Sequence, residues 1–275
     1  MSDVAAPQLQ EAWPQALVLA AALAGFLWSL AFVRQRLVRG EPLVAARPHA
    51  QVPWEAGDVA VVVVGYLLAA TLMTRGMPES RPVIDRLVAN AVLSLGTMLA
   101  GIAWLRFRGA DWQALGFPGG RLRDDLAVAC RALGLVVFPL LMAAAALNAF
   151  VKYEHPIVNF LDGRRDLVAA ALVVVTAVVV APLTEEFFFR RVLQGWLEKH
   201  FGDEKGVAVA LSAIAFASAH AGQGLAFLPL FPLALVLGLV AERTGSIVPC
   251  VFLHAMFNAV SVFLLLAQPG RGAAG

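Results

Sequence analysis

Long apolar runs separated by short polar segments dominate the chain. Each run predicts a hydrophobic helix, since about 20 mostly apolar residues are needed to cross a bilayer core. Eight helices are predicted, at Ala16–Val33, Val59–Thr74, Leu87–Leu105, Leu126–Phe150, Leu167–Glu198, Val207–Ala221, Leu225–Val240 and Ile247–Leu266. The fifth is expected to continue through Pro182. The pattern therefore predicts an all-α, polytopic membrane helix bundle with about eight transmembrane helices.

Composition agrees with this fold class. Hydrophobic residues make up 60% of the chain and charged residues 15%, with a mean hydropathy of +0.77, whereas soluble domains carry about 25% charge. The lipid bilayer is therefore an expected partner. The net charge of +2 is spread over short loops, so no nucleic-acid partner is expected. Cys130 and Cys250 form no Cys-x-x-Cys pattern and are interpreted as two small buried hydrophobic residues without chemistry.

Loop charge predicts an orientation. Thirteen Lys and Arg residues adjoin one set of loops and seven the other, with Arg131 left out because it lies within the fourth predicted helix. The positive-inside rule then places the N-terminus outside, in a multi-pass protein of the cell inner (cytoplasmic) membrane. The first apolar run has no positive segment before it and no clear cleavage site, so we expect a retained helix instead of a cleaved signal.

Polar side chains inside the predicted helices are concentrated in the second half of the chain. Residues 1–166 predict four N-terminal membrane helices without a motif, residues 167–266 carry the candidate chemistry, and residues 267–275 are expected to be a disordered tail.

Glu185 and Glu186 interrupt one of the most apolar segments. An ionisable group at membrane depth costs roughly 2.5 kcal/mol or more, so its default interpretation is a functional site. Adjacent helical residues are about 100° apart, so the two carboxylates are not expected to face the same partner. Arg190 follows Glu186 by four residues, the spacing of an ion pair on one helix face. This pairing would leave Glu185 pointing into the bundle.

Two later helices carry complementary groups. Phe216 and His220 share one helix face at i, i+4, and His254 and Asn258 do the same on the last helix. One interpretation is a buried polar cluster that only fixes helix packing. Two histidines, an amide and an unpaired carboxylate on separate helices favour a catalytic site instead.

The strings Glu-Glu-x-x-x-Arg, Phe-x-x-x-His and His-x-x-x-Asn, in this order, resemble the three motifs of the CPBP family. This family contains the type II CAAX prenyl endopeptidases and their bacteriocin-processing and immunity relatives. The resemblance covers roughly Leu167 to Phe263.

The resemblance implies a role for each motif residue. Glu185 and His220 would activate a water that attacks a peptide carbonyl, sharing a proton near neutral pH as a general base requires. His254 and Asn258 would donate hydrogen bonds to the oxyanion. The supporting residues are Glu186, Arg190 and Phe216.

A metal-dependent mechanism is the alternative. Glu185, His220 and His254 also form the His₂Glu set of a catalytic zinc site, although the His-Glu-x-x-His helix signature is absent from the sequence. We favour metal-free glutamate catalysis, with no cofactor, and keep zinc as the alternative.

Helix depth poses a problem for this site. His254 lies eight residues after Ser246, or about 12 Å, while His220 lies fifteen residues after Lys205, or about 22 Å. The two can meet if the sixth helix is tilted or starts outside the hydrocarbon. They can also meet if residues 221–224 form a buried turn beside a water-filled cavity, which we predict.

The expected function is hydrolysis of a peptide bond in a membrane-associated peptide or protein, including a prenylated one. A non-catalytic immunity or scaffold protein of the same family is one alternative. A proton-coupled transporter is another, because buried Glu and His chains also relay protons. Such a transporter predicts an internal inverted repeat, and no counterpart of the motif helices is visible in the N-terminal half.

Overall fold

The computed structural model describes residues 13–76, 82–150, 167–221 and 227–267. Helices fill nearly all of these ranges. They are α1 (Trp13–Val38), α2 (Ala56–Gly76), α3 (Val83–Phe107), α4 (Leu122–Phe150), α5 (Leu167–Phe201), α6 (Lys205–Ala219), α7 (Phe227–Thr244) and α8 (Val248–Leu266).

Seven of the helices in the described ranges are long and apolar enough to cross a bilayer. The eighth, α6, has 15 residues, or about 22 Å of helix, which is shorter than the roughly 30 Å hydrocarbon core. Large apolar side chains such as Trp28, Leu68 and Val179 lie exposed on the outer surface. The predicted all-α, polytopic membrane bundle is therefore confirmed.

Several helices extend beyond the predicted apolar runs at their polar ends, whereas α6 ends at Ala219, before its predicted end at Ala221, so His220 is its C-cap residue. α1 continues past Val33 to Val38 through Arg34 and Arg36, because arginine is a good helix former. As predicted, α5 passes through Pro182 without ending. The predicted tail, 267–275, lies outside the described residues except for its first residue.

The interpretation of Cys130 as a buried residue is wrong. Cys250 is buried, whereas Cys130 is exposed on α4. Apolar sequence neighbours do not imply burial inside the protein when the helix has a lipid-facing side, because the bilayer also accepts apolar side chains.

The fifth helix occupies the centre of the bundle. α5 packs against α2, α3, α6, α7 and α8, whereas α1 packs against α4 and α8. One buried cluster surrounds Phe187 of α5 and includes Leu105 of α3, and a second joins α4, α7 and α8 around Leu237 and Leu253. The segment with the two glutamates is therefore held from several sides.

Connecting segments cover the end of the bundle where α5 and α7 finish, here called the arginine-rich end. In the α1–α2 segment, the Arg47 backbone N–H donates to the Arg243 carbonyl at 2.8 Å. Buried Trp54 of the same segment donates its indole N–H to the Val192 carbonyl of α5 at 3.1 Å. The α3–α4 segment is attached through Gly116, whose carbonyl accepts the Ile247 N–H at 3.1 Å. Both N-terminal loops are therefore attached to parts of α5, α7 and α8 at this end of the bundle.

Candidate active site

The two glutamates lie at a change of helical register in α5. The backbone is π-helical over Val175–Val180 and again over Glu186–Gln194, with a short α-helical stretch, Ala181–Glu185, between them. Pro182 lies in that short stretch and has no N–H to donate to the preceding turn. π-Helical turns occur frequently at functional sites. Glu185 and Glu186 fall on either side of the second change of register.

Glu186 belongs to a fully buried charge network. Arg190 donates from Nε to Glu186 Oε2 at 3.0 Å, and both side chains are 0% exposed. The same guanidinium donates from Nη1 to the Ser212 hydroxyl at 3.2 Å, and Ser212 donates to the Phe189 carbonyl at 2.9 Å. The structure thus forms the Glu186–Arg190 pair that the spacing predicts and links it to α6 through Ser212.

Glu185 faces two histidines, one at the C-cap of α6 and one within α8. Its Oε2 lies 3.9 Å from Nε2 of His220 and 3.9 Å from Nε2 of His254. The Glu185 side chain is 27% exposed, His220 17% and His254 3%. The site therefore lies at the edge of the packed bundle, with one side open.

The expectation that the two carboxylates cannot face one partner is wrong. His254 places Nδ1 2.9 Å from Glu186 Oε1 and Nε2 3.9 Å from Glu185 Oε2. An imidazole has nitrogens on two edges, so one ring reaches two side chains that diverge around the helix. His254 therefore lies between the catalytic candidate and the buried charge network.

The hydrogen-bond partners of His220 and His254 indicate which ring nitrogen of each carries a proton. Nδ1 of His220 lies 2.8 Å from the Phe216 carbonyl, which can only accept, so Nδ1 is the donor. Nδ1 of His254 donates to Glu186, which also accepts from Arg190. In their neutral forms both rings therefore present a bare Nε2 toward Glu185.

Phe216 forms the wall behind the two imidazoles. Its fully buried ring lies with its centroid 4.8 Å from that of His220 and 5.8 Å from that of His254. The Arg190 guanidinium carbon lies 5.0 Å from the centroid of the same ring. Phe216 thus restricts the orientation of both histidines.

Asn258 contacts the backbone of α5. The Ala181 N–H bonds to the Thr176 carbonyl five residues back, in the π-helical register. In this register the donor for the Ala177 carbonyl would be residue 182, which is proline and has none. The Asn258 amide nitrogen occupies that place, 2.8 Å from the Ala177 oxygen. One of its two N–H groups is used in this bond and one remains.

The two histidines meet despite their different distances from the helix ends. Lys205, at the start of α6, lies 3.4 Å from Glu242 near the end of α7, so α6 and α8 begin at the same end of the bundle. Their axes must therefore differ in tilt or offset for His220 and His254 to reach the same oxygen. A buried turn and a water-filled cavity are predicted at residues 221–224. Residues 222–224 lie outside the described residues, so this stays a prediction.

The three side chains that would hold zinc in the alternative mechanism are spaced more widely around Glu185 than zinc requires. Ligand atoms of a tetrahedral zinc with bonds of about 2.0–2.1 Å lie about 3.3 Å apart, against the 3.9 Å found between Glu185 and each histidine. In the described part of the chain, no group of three or more His, Cys, Asp or Glu side chains is placed to hold a metal ion. Gaps of 3.9 Å suit a water that bonds to both atoms at about 2.8 Å. The choice of glutamate over zinc stays a prediction.

Sequence reasoning did not identify Ser212 or Ala177. Ser212 precedes Phe216 and His220 by one and two helical turns, so its position on the motif face of an apolar helix was an available signal. The acceptor role of Ala177 could be found only from the register of α5.

Comparison with known proteins finds one similarity, in the second half of the chain. A family model described as type II CAAX prenyl endopeptidase Rce1-like matches residues 167–260, a range that contains all the motif residues from Glu185 to Asn258. No curated protein and no solved structure matches the chain. Over residues 167–260 the chain is therefore similar to the type II CAAX prenyl endopeptidase Rce1-like family, a family of proteases, in agreement with the resemblance of the motifs.

Proposed function

We propose that the protein is an intramembrane endopeptidase that hydrolyses a peptide bond in a membrane-associated substrate, with water activated by Glu185 and His220. One observation carries the proposal: Nε2 of His220, at the C-terminal end of α6, and Nε2 of His254, within α8, each lie 3.9 Å from a single oxygen of Glu185. The side chains around this point leave the Glu185 carboxylate partly exposed, so substrate and water have access to it.

The proposed general base is the Glu185 carboxylate. A water bound between Glu185 and His220 has two proton acceptors, because Nδ1 of His220 is occupied by the Phe216 carbonyl and Nε2 is bare. General-base catalysis of this kind contributes about 10²–10⁴-fold to a rate. The water oxygen attacks the peptide carbon as its proton passes to Glu185.

The negative charge that develops on the carbonyl oxygen requires hydrogen-bond donors. Asn258 retains one N–H beyond the bond to Ala177. His254 donates from Nε2 only when both ring nitrogens carry protons, since Nδ1 already donates to Glu186. Collapse of the tetrahedral intermediate breaks the C–N bond, and the leaving amine takes the proton held by Glu185.

Membrane embedding and family suggest the substrate class. The multi-pass fold and the match to a CAAX prenyl endopeptidase family support a substrate that is itself held at the membrane, including one with a prenyl group. The charge distribution between loops supports a place in the cell inner membrane, with the arginine-rich end in the cytoplasm.

The proposal is tested by measuring cleavage of a peptide library, part of it farnesylated, with protein reconstituted in lipid vesicles. Glu185→Gln and His220→Ala should each lower kcat/KM at least about 10²-fold. The matched control is Glu41→Gln, a half-exposed carboxylate at the arginine-rich end, which should leave kcat/KM unchanged.

Three outcomes would contradict parts of the proposal. Cleavage that survives Glu185→Gln would exclude the glutamate mechanism, and a wild-type protein that cleaves no peptide would favour the non-catalytic alternative. Loss of activity with a zinc chelator, restored by added zinc, would assign Glu185, His220 and His254 to a metal site.

A further inference from the structure

An arginine inside the membrane-spanning part of α4 has no acidic partner in the described ranges. Arg131 lies nine residues after Leu122, the first residue of α4, which is about 14 Å along the helix. Its guanidinium carbon lies 5.1 Å from the ring centroid of Phe32 on α1. Among the ion pairs of the described residues, none includes Arg131. A charged side chain at this depth is costly unless an opposite charge compensates it.

A second arginine lies against the same aromatic ring. The guanidinium carbon of Arg36 is 5.2 Å from the Phe32 centroid, so both cations are within the roughly 6 Å at which a ring face attracts them. Arg36 also forms an ion pair with Glu41 at 2.8 Å, and the Glu41 side chain is 41% exposed. A single carboxylate at the edge of this group leaves it with a net positive charge.

The position of Phe32 places this group near the membrane boundary. Phe32 precedes Val38, the last residue of α1, by six residues, or about 9 Å. Long arginine side chains reach from such a depth toward the headgroup region. One turn deeper on the same helix face, Trp28 is 61% exposed and offers an apolar surface for an acyl chain. The surface between α1 and α4 therefore combines cationic side chains that reach toward the headgroup region with an exposed apolar ring beneath them.

We infer that this surface between α1 and α4 binds an anionic phospholipid, with the phosphate held by Arg131 and Arg36, the two arginines that contact Phe32. Guanidinium groups bind phosphate through paired N–H donors, and basic pockets between membrane helices are known lipid headgroup sites. The ligand is a membrane lipid and not a free phosphate because the site opens sideways, above the exposed Trp28 ring. This inference does not depend on the proposed protease activity.

The test measures lipid binding to the purified full-length protein in a neutral detergent by native mass spectrometry. Dioleoyl-phosphatidylglycerol should bind more tightly than dioleoyl-phosphatidylcholine. Arg131→Gln should weaken the phosphatidylglycerol complex by about fivefold, the contribution of one arginine near a membrane surface, and Arg36→Gln should weaken it by a similar factor. The matched control is Arg34→Gln, an exposed arginine at the same end of α1, which should leave the affinity unchanged.

Three results would overturn the inference. Equal phosphatidylglycerol affinity in wild type and in both variants would exclude the site. An equal loss of phosphatidylglycerol affinity with Arg34→Gln would mean that binding depends only on the total positive charge at this end of α1. Displacement of the lipid by millimolar inorganic phosphate would assign the site to a free anion. Size-exclusion profiles of the variants establish that they are folded before the comparison.

Discussion

Replacing Asn258 by alanine should destabilise the protein by an amount that depends on residue 182. With proline at 182, the Ala177 carbonyl has no donor five residues ahead in α5, and the Asn258 amide serves it at 2.8 Å. Alanine at 182 supplies a backbone N–H in its place. We therefore expect Asn258→Ala to cost about 1 kcal/mol when residue 182 is proline and close to zero after Pro182→Ala.

The magnitude follows from the surroundings of the bond. An unsatisfied buried carbonyl costs about 1–3 kcal/mol, while hydrogen bonds between membrane helices average about 0.6 kcal/mol in double-mutant cycles and reach about 1.7. Ala177 and Asn258 are both half-buried and their bond has a normal length, so an intermediate value is appropriate. Pro182→Ala also changes helix propensity. This effect cancels, because the cost of Asn258→Ala is measured once with proline and once with alanine at residue 182 and the two costs are then compared.

The assay is equilibrium unfolding of the four proteins in mixed micelles, followed by tryptophan fluorescence. Ser261→Ala is the matched control, because the Ser261 hydroxyl donates at 3.1 Å to the Phe257 carbonyl within α8 itself. Its effect on the free energy of unfolding should be the same in both backgrounds. Equal destabilisation by Asn258→Ala with proline and with alanine at 182 would refute the reasoning.

The same four proteins separate the structural role of Asn258 from its proposed catalytic role. If the second N–H of Asn258 binds the oxyanion, Asn258→Ala lowers kcat by about 10²–10³-fold whichever residue stands at 182. A kcat that recovers along with stability in the double variant would contradict the oxyanion role. Asn258 would then act only by positioning α5.

Two further predictions concern the packing around α5, with the free energy of unfolding in detergent as the measurement for both. Arg190→Met should destabilise the protein by about 3–5 kcal/mol, because it leaves the buried Glu186 carboxylate without its cation; a loss below about 1 kcal/mol would contradict this. Gly195→Ala should cost about 1–3 kcal/mol, because the new methyl carbon would lie 2.8 Å from Val52 Cγ1. The control Gly206→Ala, with open space at that position, should cost nothing.

Much of the fold is predictable from the sequence because the bilayer imposes a length and a polarity on each helix. The eight apolar runs correspond to the eight helices of the described ranges. The ends differ because hydropathy does not mark where helical hydrogen bonding stops. Cys130 shows the same limit: an apolar run identifies a membrane helix, but not the side that faces protein.

The sequence predicts which residues form the candidate site, but it does not predict the helical register of α5 that sets their contacts. The spacing of Glu186 and Arg190 predicts their ion pair because four residues return to one helix face. The contact of His254 with both glutamates depends on the change of register at Glu186. Hydrophobic periodicity carries no signal for such a change, because both registers are helical and the residues that precede Glu185 are almost all apolar.

The family match begins at residue 167, but the packing that supports the motif residues begins much earlier in the chain. Trp54 satisfies the Val192 carbonyl at the end of the π-helical stretch, and Arg191 donates to the Ala114 carbonyl of the α3–α4 segment. Both contacts fall within two residues of Arg190, the cation that compensates Glu186. Since Glu186 in turn orients His254, loops without any motif contribute to the placement of the proposed catalytic groups. The structure that supports the site therefore begins well before residue 167, where the family match starts.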